Sequence, residues 1–144
     1  WLPSSMEADE RASTDAWCAG LSNVSEALAL NVLESWPVES GSVDVVYCAH
    51  MIHIAPWACP PALFTGAARL LRAGGAVVLD GPFQVDRSHT APSNASFHAS
   101  LQSRDPQWGV RDRTAVVGVA EAVGLRCVAE QQLPANNQLL VFRA

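Results

Sequence analysis

The sequence predicts an α/β domain built on a mainly parallel sheet that closes with an antiparallel hairpin. Three observations carry this. Helix and strand patterns follow one another in the order helix, strand, strand, helix, strand. The apolar run at residues 76–79 is continuous, as in a parallel strand covered on both faces. The chain ends in two strand-like stretches around the turn Pro134-Ala135-Asn136-Asn137. With 144 residues, one domain (1–144) with its own core is expected.

Each element has its own signal. Residues 7–20 read as a helix, with acidic residues in the first turn and Gly20 to close it. Residues 27–32 (ALALNV) are a short strand candidate. Residues 43–48 are a stronger one, rich in β-branched side chains and preceded by a turn-like stretch, Glu39-Ser40-Gly41-Ser42. Pro60 and Pro61 suit a helix start; Leu63, Ala67, Leu70 and Leu71 follow at helical spacing, and Gly74-Gly75 are read as its stop. Residues 76–79 are the next strand. The segment 81–113 carries Pro82, Pro92 and Pro106 and is read as a long loop that fits a lid or binding loop. Within it, Ser93 is a candidate cap for a short helix carrying Phe97 and Leu101. Asp112 is a candidate cap for a helix running to Gly124. Residues 125–133 and 138–143 form the terminal hairpin.

Composition narrows the classes of partner. The chain is 49% apolar and 16% charged, with a net charge of −5, and all 9 basic residues are Arg. An acidic surface without a basic run argues against a nucleic-acid backbone as partner. No apolar run approaches the roughly 18 residues that span a bilayer. The four cysteines, Cys18, Cys48, Cys59 and Cys127, show no paired spacing, which fits reduced thiols in a cytoplasmic protein.

The densest chemistry is CAHMIHIAPW, residues 48–57. Cys48, His50, His53 and Cys59 are four candidate metal ligands within twelve residues, so zinc is one reading. The spacing matches no standard zinc motif, and Cys48 closes a predicted strand.

Four stretches, AHMIHIAPW, GPFQVDRSHTAPSNASF, RDPQWGVRD and PANNQLLVF, closely resemble the methyltransferase-like 26 family (UPF0585, also called DUF938). The opening WLPSS resembles that family's W-x-P-S-D. The resemblance spans essentially the whole chain. It implies a Rossmann-like class I methyltransferase sheet, S-adenosylmethionine as cofactor, and a methyl acceptor that is a small molecule or a macromolecule. In such a fold a first strand and a glycine-rich loop precede the position of Trp1. On this reading the chain is N-terminally truncated, and the 43–48 strand has an unpaired edge through which the chain would aggregate or self-associate.

Ligands of open α/β sheets bind beyond the carboxyl ends of the strands. The resemblance therefore marks Ser5 (where the family has an acid, with Glu7 in reach to compensate), Asn31 and Val32, and Ala49, His50 and Met51 as cofactor positions. Family members commonly carry Asn where His50 stands. With two acidic contacts changed, weak or absent S-adenosylmethionine binding is expected. His53 is the candidate catalytic residue, able to hydrogen-bond or deprotonate an acceptor near neutral pH; the other reading is a histidine that ties its loop to a backbone carbonyl. Trp57 is either a pocket cover or core packing. Asn94 and Arg111 are candidate substrate contacts, Arg111 as a grip for an anionic acceptor. Methyl transfer relies largely on positioning, so no catalytic dyad is required. A non-catalytic, methyltransferase-like binding module is the alternative function.

Overall fold

The computed structural model describes all 144 residues, which part into two compact units, Trp1–Pro37 and Val38–Ala144. In the first unit, β1 (Ser4–Ser5) pairs in parallel with β2 (Leu28–Ala29) across the helix α1 (Ala8–Cys18). Asp9 and Glu10 occupy the first turn of α1, where the helix dipole favours negative charge. Asp15 fixes the returning chain by accepting a 2.7 Å bond from the Ala27 backbone N–H. The strand expected over 27–32 stops at Ala29 because Asn31 folds into a local turn: its Oδ1 accepts from the Leu33 N–H at 3.0 Å, and its carbonyl accepts from Glu34.

The second unit is built on a four-stranded sheet. Its strands are β3 (Val43–Ala49), β4 (Leu71–Gly81), β8 (Arg126–Gln132) and β9 (Gln138–Arg143), in the order β3-β4-β9-β8. Strands β3 and β4 are parallel; β9 runs antiparallel to both β4 and β8. Helices α2 (Cys59–Leu70) and α4 (Arg113–Glu121) supply the apolar cover. Phe64 of α2 meets Phe142 of β9 edge to face at 5.0 Å, and Val77, Leu79, Leu140, Val116 and Ala120 are fully buried. The alternation along β9, with Gln138, Leu140 and Phe142 inward, marks this as the core face of the sheet.

Three expectations need correction here. Helix α2 ends at Leu70 and β4 begins at Leu71, so Gly74-Gly75 lie inside a strand. Gly74 has φ +80°, and a Cβ on Gly75 would come within 2.9 Å of the Asp44 carbonyl oxygen. The glycines let β4 shift register against β3 between Val43 and Val45. The segment 81–113 is no loop. It forms β5 (Phe83–Val85), β6 (Ser88–His89), α3 (Pro92–Arg104) and β7 (Arg111–Asp112), with the three strands in a small sheet ordered β6-β5-β7. Helix α3 is capped at Ala91, with Pro92 in its first turn, not at Ser93. Asp112 does cap α4: its Oδ1 accepts from the Ala115 N–H at 3.1 Å, while Oδ2 accepts from the Arg87 N–H at 2.8 Å.

Candidate functional site

The residues marked by strand-end logic fall into both units. In the first, Ser5 stands at the end of β1, and its hydroxyl donates to Glu10 Oε2 at 2.5 Å while accepting from the Glu7 N–H at 3.1 Å. The acid that reaches Ser5 is therefore Glu10, one helical turn in, and not Glu7, which contributes only its backbone. Sequence reading missed Glu10, although an acid in the first turn after a strand end was a usable signal. Asn31 donates to Glu34 Oε1 at 3.1 Å, and the Val32 carbonyl accepts from the Trp36 indole at 3.2 Å. Ser5, Glu10 and Asn31 offer hydroxyl, carboxylate and amide groups beyond the ends of two parallel strands. That donor set fits the ribose hydroxyls and adenine amine of S-adenosylmethionine. No strand of the chain leads into a glycine-rich helix start that would suit the methionine end of that cofactor.

In the second unit the site is the loop that leaves β3. Ala49, the last residue of that strand, pairs with Asp80, and the His50 N–H donates to the Asp80 carbonyl at 2.8 Å, extending the β3–β4 ladder by one bond. His50 then turns left-handed, with φ +57°. Asn, Asp and His are the non-glycine residues found most often in this region, so a histidine is tolerated at this position. Met51–His53 form a 3-10 turn, closed by the His53 N–H donating to the His50 carbonyl at 3.0 Å.

That turn drives His53 inward. Its side chain is 0% exposed, and neither ring nitrogen has a hydrogen-bond partner. The ring meets Phe83 edge to face at 5.3 Å and lies so close to Gly81 that a Cβ there would fall 2.4 Å from His53 Nε2. Burial, and after it the charges of His50 and Arg111, lower the His53 pKa to about 3. A neutral imidazole closed off from solvent is a weak base with no present route to a substrate. In this arrangement His53 is a core side chain, and it makes no tie to a carbonyl either. His50, exposed at the strand end with its ring centroid 6.3 Å from that of His53, is the accessible imidazole of the pair.

Arg111 lies beneath this loop. Its Nε donates to the Ile52 carbonyl at 2.8 Å, and its Nη2 donates to the carbonyls of Ala55 and Gln107. The guanidinium also faces the Trp57 ring at 5.7 Å. The expected grip on an anionic acceptor gives way to a clamp, because carbonyls from two segments occupy its Nε and Nη2 donors. Trp57 is 41% exposed, so it is neither core nor a closed cover. The Gly109 N–H adds a second tie, donating to the His53 carbonyl at 2.8 Å.

Asn94 is buried, and its amide donates to Thr90 Oγ1 and to the Asn136 carbonyl, each at 3.1 Å, while the Asn136 amide donates to Ser93 Oγ at 3.1 Å. It binds α3 to the hairpin turn instead of facing a substrate. Two polar groups at the strand ends escaped the sequence reading. The Tyr47 hydroxyl donates to Asp80 Oδ2 at 3.0 Å, and Oδ1 of Asp80 is enclosed without a partner. Gln138, cross-strand from Gly81, is 1% exposed with an unpartnered Oε1. An Asp directly after an apolar strand was a legible signal; nothing local marked Gln138. Burial raises the Cys48 thiol to about 11 and also raises Cys59. No group of three or more His, Cys, Asp or Glu side chains gathers in metal-binding geometry.

A parallel sheet closed by an antiparallel hairpin, with polar side chains at the strand ends, is the architecture of the class I methyltransferases, and solved structures agree. An O-methyltransferase family protein from Burkholderia thailandensis superposes with a TM-score of 0.77 at 21% identity, covering 94% of this chain and 40% of its own. LepI in complex with SAM gives 0.73 at 16%, covering 91% and 33%. CalO1, a methyltransferase in calicheamicin biosynthesis in its SAH-bound form, gives 0.69 at 15%, covering 88% and 35%. The chain thus spans about 40% or less of the length of these structures. A family model for proteins of unknown function, DUF938, matches residues 1–144, and the chain belongs to that family. No helix is long and apolar enough to cross a membrane.

Proposed function

We propose that the chain is S-adenosylmethionine-dependent and methyltransferase-like, in the methyltransferase-like 26 group of its family, and acts in the cytoplasm on a small-molecule or macromolecular acceptor. The observation that carries this is the set of polar groups at the ends of β1 and β2, in a fold whose solved neighbours include SAM- and SAH-bound proteins. When bound, the cofactor supplies an electrophilic methyl group on a sulfonium. Ser5 and Glu10 would receive the ribose, Asn31 the adenine, with Val32 beside it. In the second unit, Ala49, His50 and Met51 are proposed as further cofactor positions, with His50 as the exposed imidazole there. His53, Trp57 and Arg111 would serve the acceptor side through the loop that they build or brace, and Asn94 by holding α3 to the hairpin turn.

A second reading, a non-catalytic binding module, is favoured by one observation. Ser5, Asn31 and Arg111 are already engaged in internal hydrogen bonds, so a ligand must compete with them. Isothermal titration with S-adenosylmethionine and S-adenosylhomocysteine tests the first reading. We expect binding weaker than about 100 μM by this chain alone, about −5.5 kcal/mol. Low-micromolar affinity would overturn the expectation of weak binding. The absence of binding even at millimolar cofactor, together with no transfer of a tritiated methyl group to cell-extract acceptors, favours the binding module.

A further inference from the structure

Three consecutive residues, Gly109, Val110 and Arg111, form a strap under the 50–57 loop. The Gly109 N–H and the Arg111 guanidinium hold the loop itself. Between them, the N–H of buried Val110 points the other way and donates to His98 Nδ1 of α3 at 3.1 Å. The ring lies flush against the strap: a Cβ on Gly109 would come within 2.9 Å of both His98 Cε1 and Nδ1. A ring nitrogen that accepts from an N–H carries no proton, so neutral His98 is the Nε2–H tautomer. A second imidazole, His89 of β6, is tilted against the first, with ring centroids 4.9 Å apart. The Gln84 amide nitrogen of β5 lies 3.4 Å from His89 Nε2. All of these groups belong to the unit Val38–Ala144, and each contact is internal to it.

We propose that His98 is a proton-operated latch on the strap 109–111 and, through it, on the loop at the end of β3. The neutral ring accepts the Val110 N–H, and the strap holds the loop. In the protonated ring both nitrogens are donors. Nδ1–H then faces the Val110 N–H, and the bond between them is lost. A charge on His98 also acts on His89, whose pKa is held below its ordinary value by burial and then by His98. The charged side chains of the neighbouring segments are engaged elsewhere. Asp105 Oδ1 accepts from the Gln107 N–H, and the Asp112 carboxylate accepts from the Arg87 and Ala115 N–H groups. Arg104 lies over the Trp108 ring at 5.0 Å, and Arg111 is bound to the loop carbonyls. No carboxylate among them pairs with His98 to offset its charge. The latch is therefore closed at slightly alkaline pH and opens as the pH falls through the histidine range, about pH 8 to 5. Methyl transfer plays no part in this inference, which stands or falls on the order of the strap and loop.

Nitrogen NMR shifts of the imidazoles at about pH 7.5 should show His98 as the Nε2–H tautomer. An Nδ1–H tautomer there would overturn the proposal without any variant. Amide exchange then reads the latch, taken as protection factors and referred to buried Val77 in the sheet, so that global unfolding cancels. In the unaltered chain, protection at Gly109 and Val110 should fall about tenfold more than at Val77 between about pH 7.5 and 5, roughly the worth of one such bond. His98→Asn offers a carbonyl oxygen in place of Nδ1 and cannot titrate. It should keep the protection at the higher pH and lose the fall toward the lower one. His98→Leu should show the low protection at both. A fall that persists in the Asn variant, or protection that survives in the Leu variant, would overturn the proposal. Circular dichroism confirms that each variant is folded, and the tautomer and exchange profile of the unaltered chain decide the matter if one is not.

Discussion

Acid should destabilise this protein chiefly through one side chain, His53; His89 is also held below its ordinary pKa, by burial and then by the charge of His98. The ordinary pKa of 6.5 falls to about 3 for His53 in the fold, chiefly because burial penalises the charged ring, with His50 and Arg111 adding repulsion. The sign follows from linkage: the unfolded chain takes up the proton first, so stability is fully present above pH 6.5 and falls as the pH drops toward 3. At 1.36 kcal/mol per unit, the loss from this group is about 2 kcal/mol between pH 7.5 and 5, and about 3 kcal/mol by pH 4. Against a total stability of roughly 5–15 kcal/mol this is large. Urea unfolding at pH 7.5 and pH 5, compared with the His53→Leu variant, isolates the effect, because all other titrating groups are common to both proteins. Wild type should lose about 2 kcal/mol more than the variant over that interval. The variant should also match or exceed wild type at pH 7.5, since it removes two unpartnered ring nitrogens from the core. Parallel pH curves within about 0.5 kcal/mol, or a His53 titration above pH 6 by NMR, would refute the burial argument.

Three further outcomes follow from the same loop and its supports. Arg111→Lys should cost about 2 kcal/mol, because an ammonium cannot reproduce the bonds to the carbonyls of Ile52, Ala55 and Gln107; urea unfolding reads the cost, and faster amide exchange at His53 and Gly109 locates it. Gly81→Ala should cost roughly 1–3 kcal/mol by driving a Cβ into the His53 ring, with the displaced imidazole visible in its NMR shifts. Arg87→Gly should stabilise by about 0.5–1 kcal/mol in thermal unfolding, since Asp86 and Arg87, at φ +51° and +61°, form a two-residue hairpin turn that suits Asp-Gly.

How far the sequence spoke depended on whether a feature was local. Asp112 was legible as a cap because the cap and its N–H partner lie three residues apart. The terminal hairpin was legible because its strands flank a short Pro-Asn turn. The small sheet was not, since strands of two or three residues have no periodicity to read. Gly74-Gly75 were misread because glycine after a helical run signals a stop as readily as a strand irregularity; only the Asp44 carbonyl, thirty-one residues upstream of Gly75, decides between them. The site divided in the same way. Strand-end logic marked Ser5, Asn31 and His50 as candidates, but the partners that occupy Ser5 and Asn31 are set by side-chain direction, which spacing does not encode. Whether His53 faces solvent depends on one turn of 3-10 helix.

The family-like stretches converge in space, and this changes what they mean. The loop 50–57 is held from three sides: Gly81 of one stretch admits the His53 ring, Gly109 of another binds the His53 carbonyl, and Arg111 of the same stretch binds Ile52 and Ala55. The remaining pair meets elsewhere, where Ser93 and Asn94 exchange hydrogen bonds with Asn136. Arg111 thus acts on the backbone of the loop, while Ser93, Asn94 and Asn136 act on one another. This charge and amide chemistry, which in isolation suggests ligand contacts, instead braces the chain: Arg111 the loop at the end of β3, and Asn94 the junction of α3 with the hairpin turn. A ligand would then read the few groups this scaffold leaves exposed, His50 first among them, and the buried residues would act on it through geometry. That division explains why a left-handed residue can be kept at the end of β3: a position that costs about a kilocalorie or more to hold persists only where surrounding bonds over-determine it. Here the bonds from His50 to Asp80, from His53 to His50 and from Gly109 to His53 do so.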